Sequence, residues 1–364
     1  MNTGGGAAGL LDAPQAAEAP KPKRFREPQK FLPVAFMAAT ICGLWAMYVF
    51  WHCVPLLQLD AVHGHVDTRA RFRGTVELIA FHWFTALLLY CYVMSILVHP
   101  GEIPSQDPQW EWLPQHSHSV PENLPMSLQE MKKSGERRHC KWCGKYKPDR
   151  CHHCRVCKKC ILKMDHHCPW IYNCVGFGNH KYFFLFVLYC VLDLHLVVWT
   201  MAESVKFCIE DLDVPFMTMS VVFFGESLAF FLAALVTPFF GFHTYLVLKA
   251  MTTIEFCEKS LGRKEGAVKN YDSSVYDHGF WGNIRTVLGN NALLWLLPCS
   301  LPTGDGLSFV SDETRLTLDM GLGRVIRRRT HQRTQRTTGS QMGDVPYGSS
   351  AYAEPAHEAS PPSA

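Results

Sequence analysis

Asp165-His166-His167-Cys168 sets a candidate base and a candidate thiol nucleophile inside a run of cysteines and histidines spaced like zinc ligands. That run offers Cys140, Cys143, Cys151, His152, His153, Cys154, Cys157, Cys160, His166, His167, Cys168 and Cys174, twelve candidates in all. A structural zinc takes four N/S ligands, and the Cys140-x-x-Cys143 and Cys154-x-x-Cys157-x-x-Cys160 spacings suit it. Two closed sites would use eight of the twelve side chains, leaving others for chemistry. Spacing alone does not decide which ligand goes where. A thiol reacts as its thiolate, and from a free pKa of about 8.5 it needs a base or a positive field beside it. His166 is the candidate base, Asp165 the carboxylate that would orient it, and Cys168 the nucleophile, so the pattern points to covalent catalysis on a metal-built scaffold.

The elements around this run are those of a membrane protein. Of 364 residues, 48% are hydrophobic and only 18% charged, and a mean hydropathy near zero says that apolar and polar stretches are segregated. Phe31 to Val54 carries no Asp, Glu, Lys or Arg, and Leu78 to Val98 is a second apolar window. Tyr182 to about Ala202, with Asp193 and His195 inside it, is a third, and Met217 to about Leu248, with Glu226 and Pro238, a fourth. About 20 apolar residues at 1.5 Å each cross a hydrocarbon core of about 30 Å. Lys21, Lys23, Arg24, Arg26 and Lys30 before the first window, and the basic loop between the second and third, put both on the cytosolic side. Arg69, Arg71 and Arg73 in the first connecting loop pull the other way. Zinc-ligating thiols need a reducing compartment, and an even number of spans returns both tails to it, which decides the orientation. No cleavable signal peptide is evident. The first tail, rich in Gly, Ala and Pro, and the last, with Arg327-Arg328-Arg329, read as disordered, the latter either solvated or held near anionic headgroups.

Arg138-His139-Cys140, Lys147-Pro148-Asp149-Arg150, His152-His153-Cys154, Cys157, Cys160, Lys163-Met164-Asp165-His166-His167-Cys168-Pro169-Trp170 and Asn173-Cys174-Val175-Gly176 together resemble the cysteine-rich domain of the DHHC-type protein S-acyltransferases (palmitoyltransferases). Thr252-Thr253-Ile254-Glu255 looks like that family's TTxE motif, and Gly279-Phe280-Trp281-Gly282-Asn283 leading to Gly289 like its Asn-containing C-terminal motif. The resemblance runs over roughly residues 30 to 300. It implies an all-α integral membrane protein, with four transmembrane helices and a cytosolic two-zinc cysteine-rich domain between helices 2 and 3. The expected divisions are 1–29 disordered tail, 30–98 helices 1 and 2, 99–181 zinc domain, 182–250 helices 3 and 4, 251–302 cytosolic segment with both distal motifs, and 303–364 disordered tail.

Carried over position by position, the resemblance gives one zinc to Cys140, Cys143, His153 and Cys160, and the other to Cys154, Cys157, His167 and Cys174. It implies that Cys168 takes a fatty acyl group from acyl-CoA (palmitoyl-CoA) as a thioester and passes it to a cysteine of a cytosol-facing protein near the membrane, with His166 as base. Neighbouring side chains do not ordinarily face each other, so the expectation is that His167, pinned on zinc, forces an unusual turn that brings His166 to Cys168. Cys151 receives no role beyond an ordinary thiol. Lys147, Arg150, Lys158, Lys159 and Lys163 surround the motif, and Lys147 and Arg150 are the candidates for the coenzyme A phosphates. Golgi or endoplasmic reticulum is the expected residence, with the plasma membrane as alternative; protein substrates and chain length are not written in the sequence.

Outside the motif, Thr252 and Thr253 follow the fourth span, where a hydroxyl could hydrogen-bond Asp165 and hold His166 in its working tautomer, the plain alternative being a helix cap. Asn283 is expected to be buried and to satisfy backbone groups. Asp193, His195 and Glu226 are expensive in lipid and should face the bundle interior, as a hydrogen-bonded pair or, for Asp193, as a limit on acyl-chain length. Two rival functions remain. A membrane-anchored zinc adaptor or ligase-like scaffold would use the metal ligands but not Asp165, His166 and Cys168. A zinc-knuckle nucleic-acid binder is opposed by four spans, so no nucleic-acid partner is expected.

Overall fold

The computed structural model describes residues 28–59, 67–112, 136–264, 276–300 and 302–309, with residues 130, 132, 134 and 274. Four helices are long and apolar enough to cross a membrane: α1 (Gln29–Leu57), α2 (Thr68–Leu97), α3 (His180–Glu210) and α4 (Phe216–Leu248). The outward side chains include Ile79, Trp83, Trp199, Phe230 and Phe231, the apolar coat that a lipid-facing surface requires. α2 begins well before its apolar window because Asp67 caps it, accepting from the backbone N–H of Arg69 at 2.9 Å and Ala70 at 3.2 Å. These bonds satisfy two of the four donors that a helix start leaves orphaned. α3 packs most extensively against α2 and α4 and carries the bundle's centre.

Some polar residues inside the bundle are paired across helices and others are not. Asp193 accepts from Thr85 Oγ1 at 3.0 Å, the hydrogen-bonded arrangement expected of it. His195 lies within hydrogen-bonding distance of its own helix's Val191 carbonyl (2.9 Å), and Glu226 Oε2 has no partner among the described residues. At the end away from the cysteines, a π-helical turn over Val49–Cys53 in α1 carries a buried His52. Its Nε2 contacts Glu77 at 2.9 Å and its Nδ1 contacts Ser204 at 2.7 Å. Arg73 bonds both Glu77 and Glu203, so part of the basic excess in the first connecting loop is neutralised internally.

Between α2 and α3 lies the cysteine- and histidine-rich region, and here the all-α expectation fails. It is built from three antiparallel two-stranded hairpins, β1 (His139–Cys140) with β2 (Lys145–Tyr146), β3 (His152–Cys154) with β4 (Lys159–Ile161), and β5 (His166–Cys168) with β6 (Asn173–Val175). Ligands three residues apart demand tight turns, which leave no length for a helix. After α4, α5 (Thr253–Lys264) and α6 (Gly279–Leu288) return to this region. The boundary expected at 303 falls too early. Leu307 packs beside Ile103, Trp110 and Cys151, and Phe309 meets Tyr276 edge-on (ring centroids 5.9 Å apart), because these side chains cover a core the hairpins cannot close themselves. The basic run at 327–329 and the first tail's Lys21 to Arg26 lie outside the described residues.

Candidate active site

Strand alternation distributes the ligands. In β3 to β4, His153 faces Cys160, and in β5 to β6, His167 faces Cys174. Successive strand residues point to opposite faces, so His153 and its neighbour Cys154 serve different clusters. The first cluster gathers Cys140, Cys143, His153 and Cys160, and the second Cys154, Cys157, His167 and Cys174, each with all four ligand atoms within 4.8 Å of one another. His153 Nδ1 lies 3.5, 3.3 and 3.9 Å from the sulfurs of Cys140, Cys143 and Cys160. His167 Nδ1 lies 3.7, 3.5 and 3.6 Å from those of Cys154, Cys157 and Cys174. A tetrahedron with Zn–S and Zn–N bonds of ordinary length has S···N edges of about 3.6 Å, so both donor sets fit a metal ion. The middle hairpin contributes to both. Cys151, fully buried, packs in the core with Cys140 and Cys160.

The same alternation assembles the candidate chemistry. His167 turns to its cluster, while His166 and Cys168, two apart on β5, share the opposite face. No unusual turn is needed; a regular strand does it. Cys168 shares that face with His166, and His166 Nδ1 contacts Asp165 Oδ2 at 2.6 Å. Asp165 is 1% exposed and held from a third side. Thr253 donates its backbone N–H to Oδ1 at 2.9 Å and its hydroxyl to Oδ2 at 2.7 Å. Burial opposes the carboxylate's charge, but the His166 bond and nearby imidazoles outweigh it and keep Asp165 well below the usual carboxylate range. Burial likewise opposes the imidazolium, but the bonds to Asp165 and Cys168 raise the His166 pKa to about 9. At neutral pH the ring is then cationic, and a positive charge beside sulfur stabilises negative charge there.

Thr252 takes the other expected role. Its Oγ1 accepts from Glu255 N at 3.2 Å while Glu255 Oε2 accepts from Thr252 N at 3.0 Å, a capping box at the start of α5. Glu255 also takes a bidentate pair from Arg150, Nε to Oε1 at 2.7 Å and Nη2 to Oε2 at 3.0 Å. Arg150, expected beside the phosphates, is instead 4% exposed. Its Nη2 also donates to the Ala250 carbonyl at 3.1 Å, and the guanidinium lies over the Tyr276 ring. Its fork therefore joins α5 to the hairpins. Lys163 is buried too, and its surroundings lower its pKa to about 7, by burial first and then by Arg150. Lys147 stays partly exposed. Asn283 is 1% exposed, donating to the Leu248 carbonyl at 2.8 Å and accepting from His278 N at 2.9 Å, the backbone-satisfying role expected.

The contacts that hold β5 and β6 onto the bundle were not anticipated. Asn173 Nδ2 donates to the carbonyls of Ser95 and Val98, each at 3.0 Å, and Asn179 Nδ2 donates to the Cys174 carbonyl at 2.9 Å. Gly178 approaches so closely that a Cβ there would collide with the His99 carbonyl oxygen. The signal was local, an Asn-Cys-Val-Gly-Phe-Gly-Asn string of small and amide residues, but its partners lie at the end of another helix. The Tyr92 hydroxyl donates to the Trp170 carbonyl at 3.0 Å. Cys168 thus abuts an apolar cluster that includes Leu88, Tyr92, Phe183 and Phe186.

The DHHC palmitoyltransferase family matches residues 133–260. Human Palmitoyltransferase ZDHHC2 is 31% identical over 311 aligned residues, covering 82% of this chain and 80% of that protein. Human Palmitoyltransferase ZDHHC20 is 33% identical over 77% of this chain and 76% of its own length, and the Probable protein S-acyltransferase 16 of Arabidopsis thaliana 37% identical over 62% and 78%. With the site, the spans and relatives matching along most of its length, the chain belongs to the DHHC palmitoyltransferase family.

Proposed function

We propose that this multi-pass membrane protein transfers a long-chain fatty acyl group from acyl-CoA to protein cysteines through a thioester on Cys168. The carrying observation is the Asp165–His166 contact with Cys168 on the same strand face. The His166 imidazolium favours the thiolate of Cys168, whose sulfur attacks the thioester carbonyl of acyl-CoA. As the tetrahedral intermediate collapses, the coenzyme A sulfur leaves and receives the proton from the imidazolium. In the second half-reaction His166 takes the proton of a substrate thiol, whose sulfur attacks the acyl-Cys168 carbonyl and releases the Cys168 thiolate. Asp165, fixed by Thr253, keeps the ring turned toward sulfur. The acyl chain, worth about 0.8 kcal/mol per buried CH₂, extends from Cys168 along the apolar cluster between the helices.

Two structural zinc ions complete the scaffold, one on Cys140, Cys143, His153 and Cys160 and one on Cys154, Cys157, His167 and Cys174. They fix β5 and hence the facing of His166 and Cys168. Lys147 remains the candidate cation for coenzyme A phosphates; Arg150 serves structurally. The basic flank of α1 and the thiol-rich region support cytosolic termini, and residence in the Golgi or endoplasmic reticulum follows the family expectation. The functional unit then runs from about residue 30 to about 309, with substrates presenting cysteines close to the membrane. A zinc adaptor without chemistry leaves the Asp165, His166 and Thr253 contacts without purpose. Purified protein incubated with labelled palmitoyl-CoA should carry label that hydroxylamine releases and that maps to Cys168. Label absent there, or resistant to hydroxylamine, sinks the proposal.

A further inference from the structure

α4 brings a third group to the Asp165–His166 pair that acyl transfer does not use. His243 is 3% exposed, its ring 5.7 Å from that of His166 and packed against Phe183 at 5.2 Å and Phe239 at 4.5 Å. Among the described residues no side-chain hydrogen bond holds its ring. One ligand atom from each of Asp165, His166 and His243 lies within 4.8 Å of the others. The geometry points to a third metal site on Asp165, His166 and His243, which takes a divalent zinc-like ion and shuts off acyl transfer while it is occupied. The shut-off rests on the roles of His166 and Cys168 proposed above; the binding does not.

The donor set decides the class of ion. Two imidazoles and a carboxylate suit zinc, and three protein ligands with a fourth position open is the arrangement of exchangeable zinc sites. Ligand edges around such an ion are about 3.4 Å. The Asp165–His166 contact of 2.6 Å must therefore open a little and His243 must close, movements within reach of side-chain rotation. Thr253 already fixes the carboxylate through both oxygens, which lowers the cost of ordering it. The two cysteine clusters each offer four ligands, three of them sulfurs, and hold their ions far more tightly. A range of free zinc thus exists in which only the third site changes occupancy. Either mode of coordination disables the base. An ion on Nε2 takes the lone pair that would accept the Cys168 proton, and an ion on Nδ1 displaces the proton shared with Asp165, leaving the ring's remaining proton on Nε2.

The test uses full-length protein in detergent micelles with both structural ions loaded, across a chelator-buffered zinc series. Bound zinc is counted by equilibrium dialysis, and hydroxylamine-sensitive label on Cys168 is followed from palmitoyl-CoA. A third equivalent should bind, and the initial rate of labelling should fall about tenfold or more along the same curve, recovering when free zinc is lowered. His243→Phe should raise the half-saturating concentration about tenfold or more while labelling normally without added zinc. If His243→Phe sheds a structural ion, His243→Gln is read instead, since an amide is a poor zinc ligand. Binding that stops at two equivalents in the wild type, or unchanged third-ion affinity in the variant that keeps both structural ions, overturns the site. A third ion that binds without slowing labelling overturns the shut-off. Absence of label at every zinc concentration would count against acyl transfer itself, with the dialysis still deciding the site.

Discussion

The two ends of the helix bundle both set a histidine beside a buried carboxylate, yet the proposed chemistry uses only one of them. At the end away from the cysteines, both His52 ring nitrogens are engaged, with Glu77 and with Ser204, and Glu77 is further held by Arg73. At the cysteine end, His166 spends one nitrogen on Asp165 and keeps the other for Cys168, while His243 stands beside them unbonded. A buried carboxylate is common to both ends. What separates a tie from a reactive centre is whether the bundle has consumed every lone pair.

Substitutions sharpen that contrast, beginning with the most severe. Cys168→Ser should reduce hydroxylamine-sensitive labelling to background while atomic absorption still finds two zinc ions; loss of metal would make Cys168 a ligand and end its assignment as nucleophile. His167→Ala should release the ion of the second cluster and lower the melting temperature sharply, because structural zinc contributes folding energy outright. Its neighbour gives the opposite pattern. His166→Ala should keep both ions and slow labelling by about 10²- to 10⁴-fold, the usual range for a lost general base, and equal metal loss in the two variants would refute the division of the strand's faces. Thr253→Val removes one hydroxyl bond to Asp165 but keeps the backbone N–H. A slowing of about ten- to a hundredfold with unchanged metal content is expected, as for other supporting bonds behind a working histidine. His52→Ala at the far end should leave the labelling rate within about twofold, yet cost roughly 1 to 3 kcal/mol by stranding Glu77, read as a lower melting temperature in detergent. A large rate loss there would break the distinction between the two ends.

Legibility followed the range of the interaction. Cys140-x-x-Cys143 and the Cys154 to Cys160 run could be read because ligand spacing is local, and the facing of His166 and Cys168 follows from strand alternation once β5 is recognised. The unusual turn was expected because a helix-rich chain suggested no strand there. Thr253 was reachable, since it follows an apolar span that must return to the same side. Arg150 was misplaced because its partner Glu255 is 105 residues away and a basic residue near a motif looks alike whether it meets phosphate or carboxylate. His52 and Glu77 could not be paired in advance, because the π turn that aims His52 leaves no mark in an apolar run. His243 sits among phenylalanines and tyrosine in α4, and nothing in that string announces the pair it meets.

Thr253 lies 88 residues after the carboxylate it holds, and that interval has a meaning in time. A ribosome adding about 5 to 20 residues per second releases Asp165, His166 and Cys168 roughly 4 to 18 s before the hydroxyl that locks them. All eight cysteine-cluster ligands emerge by Cys174, so the newborn hairpins can load metal while the carboxylate is still untethered. Synthesis order would thus let the scaffold form before the carboxylate is clamped, and a chain truncated within α4 should hold its metal yet label far more slowly.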